Sequence, residues 1–201
     1  MSSAVPFIGL TGAVAAGKSA ALAALERLGA ATLSSDTVVH ELLGSERVRD
    51  LLVGRWGEDV APDGAVDRAK IGAIVFADAE ELAWLEHTLH PLVAERTAAW
   101  RAQLPAEAKV AVLEVPLLFE TGMDTLFDAT IAIVAPDELR VERAGARGTS
   151  ELEARSARQL GQQEKAERAT YVISNAGTLE DLEASLAAVL PDVLASGREP
   201  A

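Results

Sequence analysis

The run Gly12-Ala13-Val14-Ala15-Ala16-Gly17-Lys18-Ser19 fits G-x-x-x-x-G-K-[ST] at every fixed position. That spacing suits one kind of chemistry, the capture of a phosphate chain. Backbone N–H groups of a wrapping loop, with the positive end of the following helix behind them, hold an anion without any basic surface. Lys18 is spaced to reach the β and γ phosphates, and the Ser19 hydroxyl to ligate Mg²⁺. With glycine at about 7% of residues, a chance match is expected in roughly one random chain of this length in a hundred. The pattern alone does not choose among ATPases, GTPases and kinases. The sequence has no Asn-Lys-x-Asp segment of the kind that reads guanine, which disfavours a GTPase.

A kinase also needs a group that orients the acceptor hydroxyl and takes its proton, and cations that arrive over the phosphates and exclude water. Asp36, just past a short second strand, is placed for the first task, although a helix N-cap explains it equally well. Arg140, Arg143, Arg147, Arg155 and Arg158 cluster in an otherwise acidic chain. Arg143 and Arg147 are four apart and share a helix face; a solvated face pairing with Glu142, Glu151 and Glu153 is the competing account. His87 and His90 stand three apart without a His-Glu-x-x-His motif, so packing or substrate contact suits them better than a metal, and Mg²⁺ prefers oxygen ligands.

These residues need elements to position them. Val5 to Leu10 is a short apolar run entering Thr11-Gly12, which predicts a buried strand and a tight loop. Leu22, Leu25 and Leu28 at spacing three, closed by Gly29, predict a helix from Ser19 to Leu28. Ala30 to Leu33 reads as a second strand, and Ser34-Ser35-Asp36 as the start of a helix through Leu43. Between Glu46 and Gln103 the β-branched clusters give way to helical patterns. Asp78 with Glu81 resembles a capping box, opening a helix that ends near His90 before Pro91. Val110 to Val115 and Thr130 to Val134 are nearly continuous apolar runs, as parallel strands covered on both faces should be. Tyr171 to Ile173 is a weaker fifth. Helices are expected over 137–147, 151–163 and 179–190. The alternation predicts an α/β fold with a doubly wound parallel sheet and a helical insertion.

Bulk properties agree. The 201 residues suffice for one α/β core with an insertion, and 49% hydrophobic with 24% charged residues is globular composition. Asp and Glu outnumber Lys and Arg by 31 to 18, a net charge of −13. Such a surface repels nucleic acid and anionic membranes, so the expected partners are small molecules. There is no cysteine, no apolar stretch near the 18 to 20 residues of a membrane span, and no basic start followed by an apolar run. The cytoplasm is the expected compartment.

Several further segments, in order, resemble the dephospho-CoA kinase family. Ile8-Gly9-Leu10-Thr11-Gly12 with Gly17-Lys18-Ser19 is similar to its opening, and Asp36 to the second aspartate of its Asp-x-Asp pair. Trp56-Gly57, Asp63-Gly64-Ala65-Val66-Asp67-Arg68, Val75-Phe76, Leu85-Glu86 and His90-Pro91 look like its helical CoA-domain markers, and Pro116-Leu117-Leu118-Phe119-Glu120 is the most diagnostic string. Arg143 with Arg147, Arg155 with Gln159, and Asn175 with Gly177 resemble lid and adenine-side positions.

The resemblance implies a P-loop NTPase-like sheet of five parallel strands with helices on both faces. The core would be about 1–40 and 108–195, the CoA insertion about 41–107 and the lid about 140–160. It implies ATP-dependent phosphorylation of the dephospho-CoA 3′-hydroxyl, with Asp36, Lys18 and Arg143 catalytic and Mg²⁺ held by Ser19. Gly12 to Ala20, Arg147 and Asn175 would bind ATP. Asp36, His90, Pro116, Leu117, Leu118, Glu120, Arg143 and Arg155 would bind the acceptor. Ala13, Ala15 and Ala16 depart from the glycines and serine usual in this loop, so alanine must meet or avoid conformations that glycine eases. Ser34 replaces the first aspartate of the pair, and His40 a common arginine. Two other readings remain at this point: a nucleoside or nucleoside monophosphate kinase, and a nucleotide or CoA sensor without transfer.

Overall fold

A computed structural model describes residues 5–145 and 159–196. The strands are β1 (Phe7–Gly12), β2 (Ala30–Ser34), β3 (Val110–Glu114), β4 (Ala129–Val134) and β5 (Tyr171–Ser174). The helices are α1 (Lys18–Arg27), α2 (Ser35–Leu43), α3 (Glu46–Trp56), α4 (Arg68–Ala77), α5 (Ala79–Ala102), α6 (Asp137–Gly145), α7 (Gln162–Arg168) and α8 (Leu179–Ser196). They divide between two compact units, Met1–Ser34 with Leu104–Ala201, and Ser35–Gln103.

The first unit holds a five-stranded sheet in the order β2-β3-β1-β4-β5, every neighbouring pair parallel. All residues of β1 and β3 are buried, which is why their sequences run apolar without alternation. Ile8, Leu10, Val110, Val112, Ile131 and Ile133 pack with Ala21, Ala24 and Leu25 of α1 and Leu182, Leu186 and Val193 of α8. Each fully buried Leu, Ile or Val contributes about 1.5–3 kcal/mol relative to exposure. The carboxyl ends of the strands, where open α/β sheets receive their ligands, lead into the phosphate loop after β1 and the Pro116 string after β3.

A buried ion pair ties those ends together. Lys165 of α7 is 1% exposed, and its three ammonium donors meet Glu120 Oε1 at 2.8 Å, the Pro116 carbonyl at 2.6 Å and Thr11 Oγ1 at 3.4 Å. The Leu160 N–H also donates to Glu120 Oε1, at 2.7 Å. Burial pushes the Glu120 carboxyl up, but the Lys165 ammonium and the Leu160 N–H outweigh it and hold the group below the ordinary carboxylate range. One side chain thus anchors the end of β1, the turn after β3 and the entry to α7.

The second unit is helical. Val48 and Leu52 of α3, Val60 in the connection after it, Ile71 and Val75 of α4, and Leu85, Leu89 and Leu92 of α5 form its core. Ser45, Asp67 and Asp78 cap α3, α4 and α5, each accepting from N–H groups of the first turn. Glu81 does not close the expected capping box. It accepts from Arg55 (2.8 and 2.9 Å) and Trp56 Nε1 (2.8 Å) instead, since a bidentate guanidinium is a stronger partner for a carboxylate than one N–H. Nor does α5 stop at His90: it runs on through Pro91 to Ala102. Proline forfeits the bond to the His87 carbonyl, but His87 and Pro91 are both exposed, so water can serve that carbonyl.

In the first unit α8 likewise runs past Leu190, through Pro191, to Ser196. The helix expected over 151–163 lies mostly outside the described residues, and at its described end residues 159–161 are not helical, Gly161 instead leading into α7. No helix among the described residues is long and apolar enough to cross a membrane.

Lys165→Met is expected to cost about 3–5 kcal/mol in urea unfolding at neutral pH, because it strands a buried carboxylate. The folded Glu120 carboxyl titrates below its unfolded value, so the pair's contribution is present above the unfolded pKa and lost as pH falls through the folded one. The gap between the parent and Lys165→Met should therefore narrow on acidification; a gap independent of pH would remove the ion pair as its source.

Candidate active site

β1 ends at Gly12, opposite Ile133 of β4. A Cβ on Gly12 would lie 2.5 Å from the Ile133 carbonyl oxygen, so the loop can leave the sheet this close to β4 only from glycine. The chain then turns, Ala16 N–H donating to the Ala13 carbonyl at 3.2 Å. Two residues are left-handed, Ala15 at φ 61° and Gly17 at φ 101°. Glycine adopts this freely, whereas alanine does so at a cost of about 1–2 kcal/mol. Ala15 therefore meets the conformation that glycine would ease, while Ala13 and Ala16 are buried at negative φ. A side chain at Gly17 would also run into the Asn175 amide.

α1 begins directly after Gly17, with no side-chain cap and no acidic residue in its first turn. Its positive end is therefore left to an external anion. The loop carbonyls are held from outside. Lys18 Nζ donates to Gly12 O (3.1 Å) and Ala13 O (3.3 Å), Arg140 Nε to Val14 O (3.1 Å), and Asn175 Nδ2 to Ala16 O (2.8 Å). In a trans peptide the N–H points opposite to the C=O, so fixing the Val14 and Ala16 carbonyls aims the Ala15 and Gly17 N–H groups the other way. Neither has a protein acceptor among the described residues. Arg143 Nη2 donates to the Asn175 carbonyl at 3.3 Å, but its Nη1 is buried with no partner among the described residues. That Nη1 lies 3.9 Å from where a Cβ on Gly17 would stand. Unpaired donors and an orphaned cation around one helix start are what a phosphate completes.

Ser19 is exposed in the first turn of α1. Among the described residues no group of three or more His, Asp or Glu is arranged to hold a metal. The hydroxyl beside the phosphate cradle is an oxygen donor of the kind Mg²⁺ prefers.

The expected site residues fall unevenly. Gly12 to Ala20, Arg143 and Asn175 come together as described, with the Asn175 side chain supporting the loop. Pro116 and Leu117 are half-buried after β3. Leu118 is fully enclosed beside Gly9, and Glu120 is committed to Lys165. Asp36 and His90 belong to the helical unit, Asp36 exposed in the first turn of α2, where the helix dipole favours a carboxylate, and His90 exposed on α5. Arg147, Arg155 and Arg158 lie outside the described residues. His40, in the arginine's place, has its Nδ1 2.8 Å from Arg68 Nη1.

Two residues carry more than sequence reasoning assigned them. Glu114 ends β3 beside Leu10 of β1, 6% exposed, and accepts from Ser34 Oγ at 2.6 Å. A lone carboxylate closing an apolar strand was a visible signal. Lys165 had none, because Gln-Gln-Glu-Lys-Ala-Glu-Arg reads as a solvated helix.

A family model described as Dephospho-CoA kinase matches residues 6–181. The chain is similar to a dephospho-CoA kinase of Lactobacillus johnsonii, with 35% identity covering 93% of this chain and 98% of the relative. It is also similar to one of Deinococcus radiodurans, with 39% identity covering 91% and 90%. A crystal structure of a Thermus thermophilus protein superposes with a TM-score of 0.81 at 36% identity, covering 94% of this chain and 97% of that one. A phosphate cradle at the end of β1, a five-stranded parallel sheet behind it and a family match over most of the length have one reading: the chain is a kinase and belongs to the dephospho-CoA kinase family.

Proposed function

We propose that the chain transfers the γ-phosphoryl group of ATP to the 3′-hydroxyl of dephospho-CoA, giving CoA and ADP. The observation that carries the reading is the cradle itself, with the uncapped start of α1 and, unpartnered among the described residues, the Ala15 and Gly17 N–H groups and Nη1 of Arg143 around one point. Family membership supplies the acceptor. The helical unit Ser35–Gln103 is the proposed CoA-binding part, and about 140–160 the lid. The cytoplasm is the proposed compartment.

In this reading the loop N–H groups and Lys18 hold the β and γ phosphates before reaction, so little reorganisation is needed as charge shifts to the leaving oxygen. Arg143 meets the charge on the transferred group, and the Asp36 carboxylate accepts the proton of the attacking hydroxyl. Ser19 would hold Mg²⁺ together with the phosphates, and the ion would supply neutralisation of phosphate charge. Pro116, Leu117, Glu120, His90 and Arg155 are proposed on the acceptor side, and Arg147 and Asn175 on the nucleotide side.

The decisive assay offers Mg²⁺-ATP with dephospho-CoA, adenosine or AMP and follows acceptor mass. A gain of one phosphoryl group on dephospho-CoA alone is the expected result; a gain on AMP or adenosine instead would replace the acceptor. ATP binding without any acceptor gaining mass would favour a sensor. Asp36→Asn should lower kcat by about 10²–10⁴, the usual worth of a general base, with ATP affinity within a few-fold of the parent; unchanged turnover would remove Asp36 from the mechanism. Arg143→Gln should lower kcat/KM by about 10-fold or more through loss of a charge-assisted contact, with the melting temperature nearly unchanged.

A further inference from the structure

The loop carries a strained alanine, and something must hold it in place. Ala15 sits at φ 61°, a conformation that L-residues leave when nothing opposes the change. The peptide joining Val14 to Ala15 turns with that dihedral, so whatever fixes the Val14 carbonyl also fixes Ala15. Arg140 Nε donates to this carbonyl at 3.1 Å across a separation of 126 residues. Arg140 is itself held, because its Nη1 donates to Asp137 Oδ1 at 2.7 Å one turn earlier on α6, and its side chain is only 23% exposed.

We propose that Arg140 is a positioning residue for the nucleotide: it clamps the Val14 carbonyl, keeps Ala15 left-handed, and so keeps the Ala15 N–H aimed at the phosphates. This inference rests on the reading of the loop as the nucleotide phosphate site and assigns Arg140 a different task from a cation arriving over the phosphates. The guanidinium acts through the backbone. A glycine at position 15 would adopt the same dihedral without help, so the need for Arg140 is created by the alanine. Asn175 performs the matching service two peptides further on, at the Ala16 carbonyl, where Gly17 bears no strain. The Val14 peptide is the one that combines an external clamp with an unfavourable residue.

The test is a double-mutant cycle on the full chain with Arg140→Gln, Ala15→Gly and both together. It is read as Mg²⁺-ATP affinity by calorimetry, as KM for ATP against kcat, and as the thermal midpoint. Arg140→Gln alone should weaken ATP binding about tenfold, the scale of one charged hydrogen bond, raising KM for ATP with kcat within about twofold. Ala15→Gly alone should bind ATP as tightly as the parent or more so. In the Ala15→Gly background the same Arg140 substitution should cost less than about threefold, the difference being the coupling between the two sites. Equal losses in both backgrounds would overturn the proposal, because Arg140 would then act on the nucleotide as a charge and not on the loop. So would a lower midpoint with ATP affinity and KM unmoved, which marks a structural role only. The affinity cycle is read from binding, so it decides Arg140 even if the parent binds ATP but phosphorylates no dephospho-CoA, the result that defeats the proposed acceptor. A parent that binds no ATP defeats both.

Discussion

A triphosphate repels a chain of net charge −13, so the attraction must be generated within a few ångströms by groups the net charge does not describe. Backbone dipoles provide it. N–H groups aimed at one point need no counterion and lose little on binding if they are already aimed. Their direction is set by peptide planes, and each plane is set by whatever holds its carbonyl. Lys18, Arg140 and Asn175 bond the carbonyls of Gly12, Ala13, Val14 and Ala16, so every element that carries these side chains is in the service of the loop. The sheet places β5, and with it Asn175, beside β4; α6 places Arg140.

The same economy appears under the Pro116 string. A lysine in a helix of alternating charge is ordinarily a solvated group, yet Lys165 is enclosed and serves three acceptors from two segments, β1 and the turn after β3. Buried pairs of this kind add little net stability compared with an apolar replacement, but they penalise any arrangement in which one partner is missing. The effect is specificity of register: the turn after β3, the end of β1 and the start of α7 can close in one way.

Much of this was legible in the residues. All five strands were legible, β3 and β4 most clearly as nearly continuous apolar runs and β5 more weakly, and the phosphate loop as fixed spacing between a strand and a helix, because both depend on neighbours in sequence. Asn175 was expected among the nucleotide-binding residues, but nothing near it in sequence announced that its amide holds Ala16, a bond spanning 159 residues. Glu81 was expected to cap its own helix but found Arg55 and Trp56 on another. Pro91 was expected to end a helix, but local propensity could not foresee that the proline would lie on the exposed face of a helix that continues. Lys165 was hidden for the same reason: burial is decided by what packs over a residue. Leu118 shows the converse, a position of the diagnostic string that turns out to be core, closed against Gly9.

Asn175 has one more implication. Its backbone N–H bonds the Val134 carbonyl at 2.7 Å while its side chain bonds the loop, so the end of the outermost strand and the phosphate cradle share one residue. Whatever stiffens the cradle must also stiffen that strand end, and by reciprocity fraying at the sheet's edge must loosen the cradle. Amide hydrogens of β5, an edge strand with Val172 48% exposed, become reporters of occupancy.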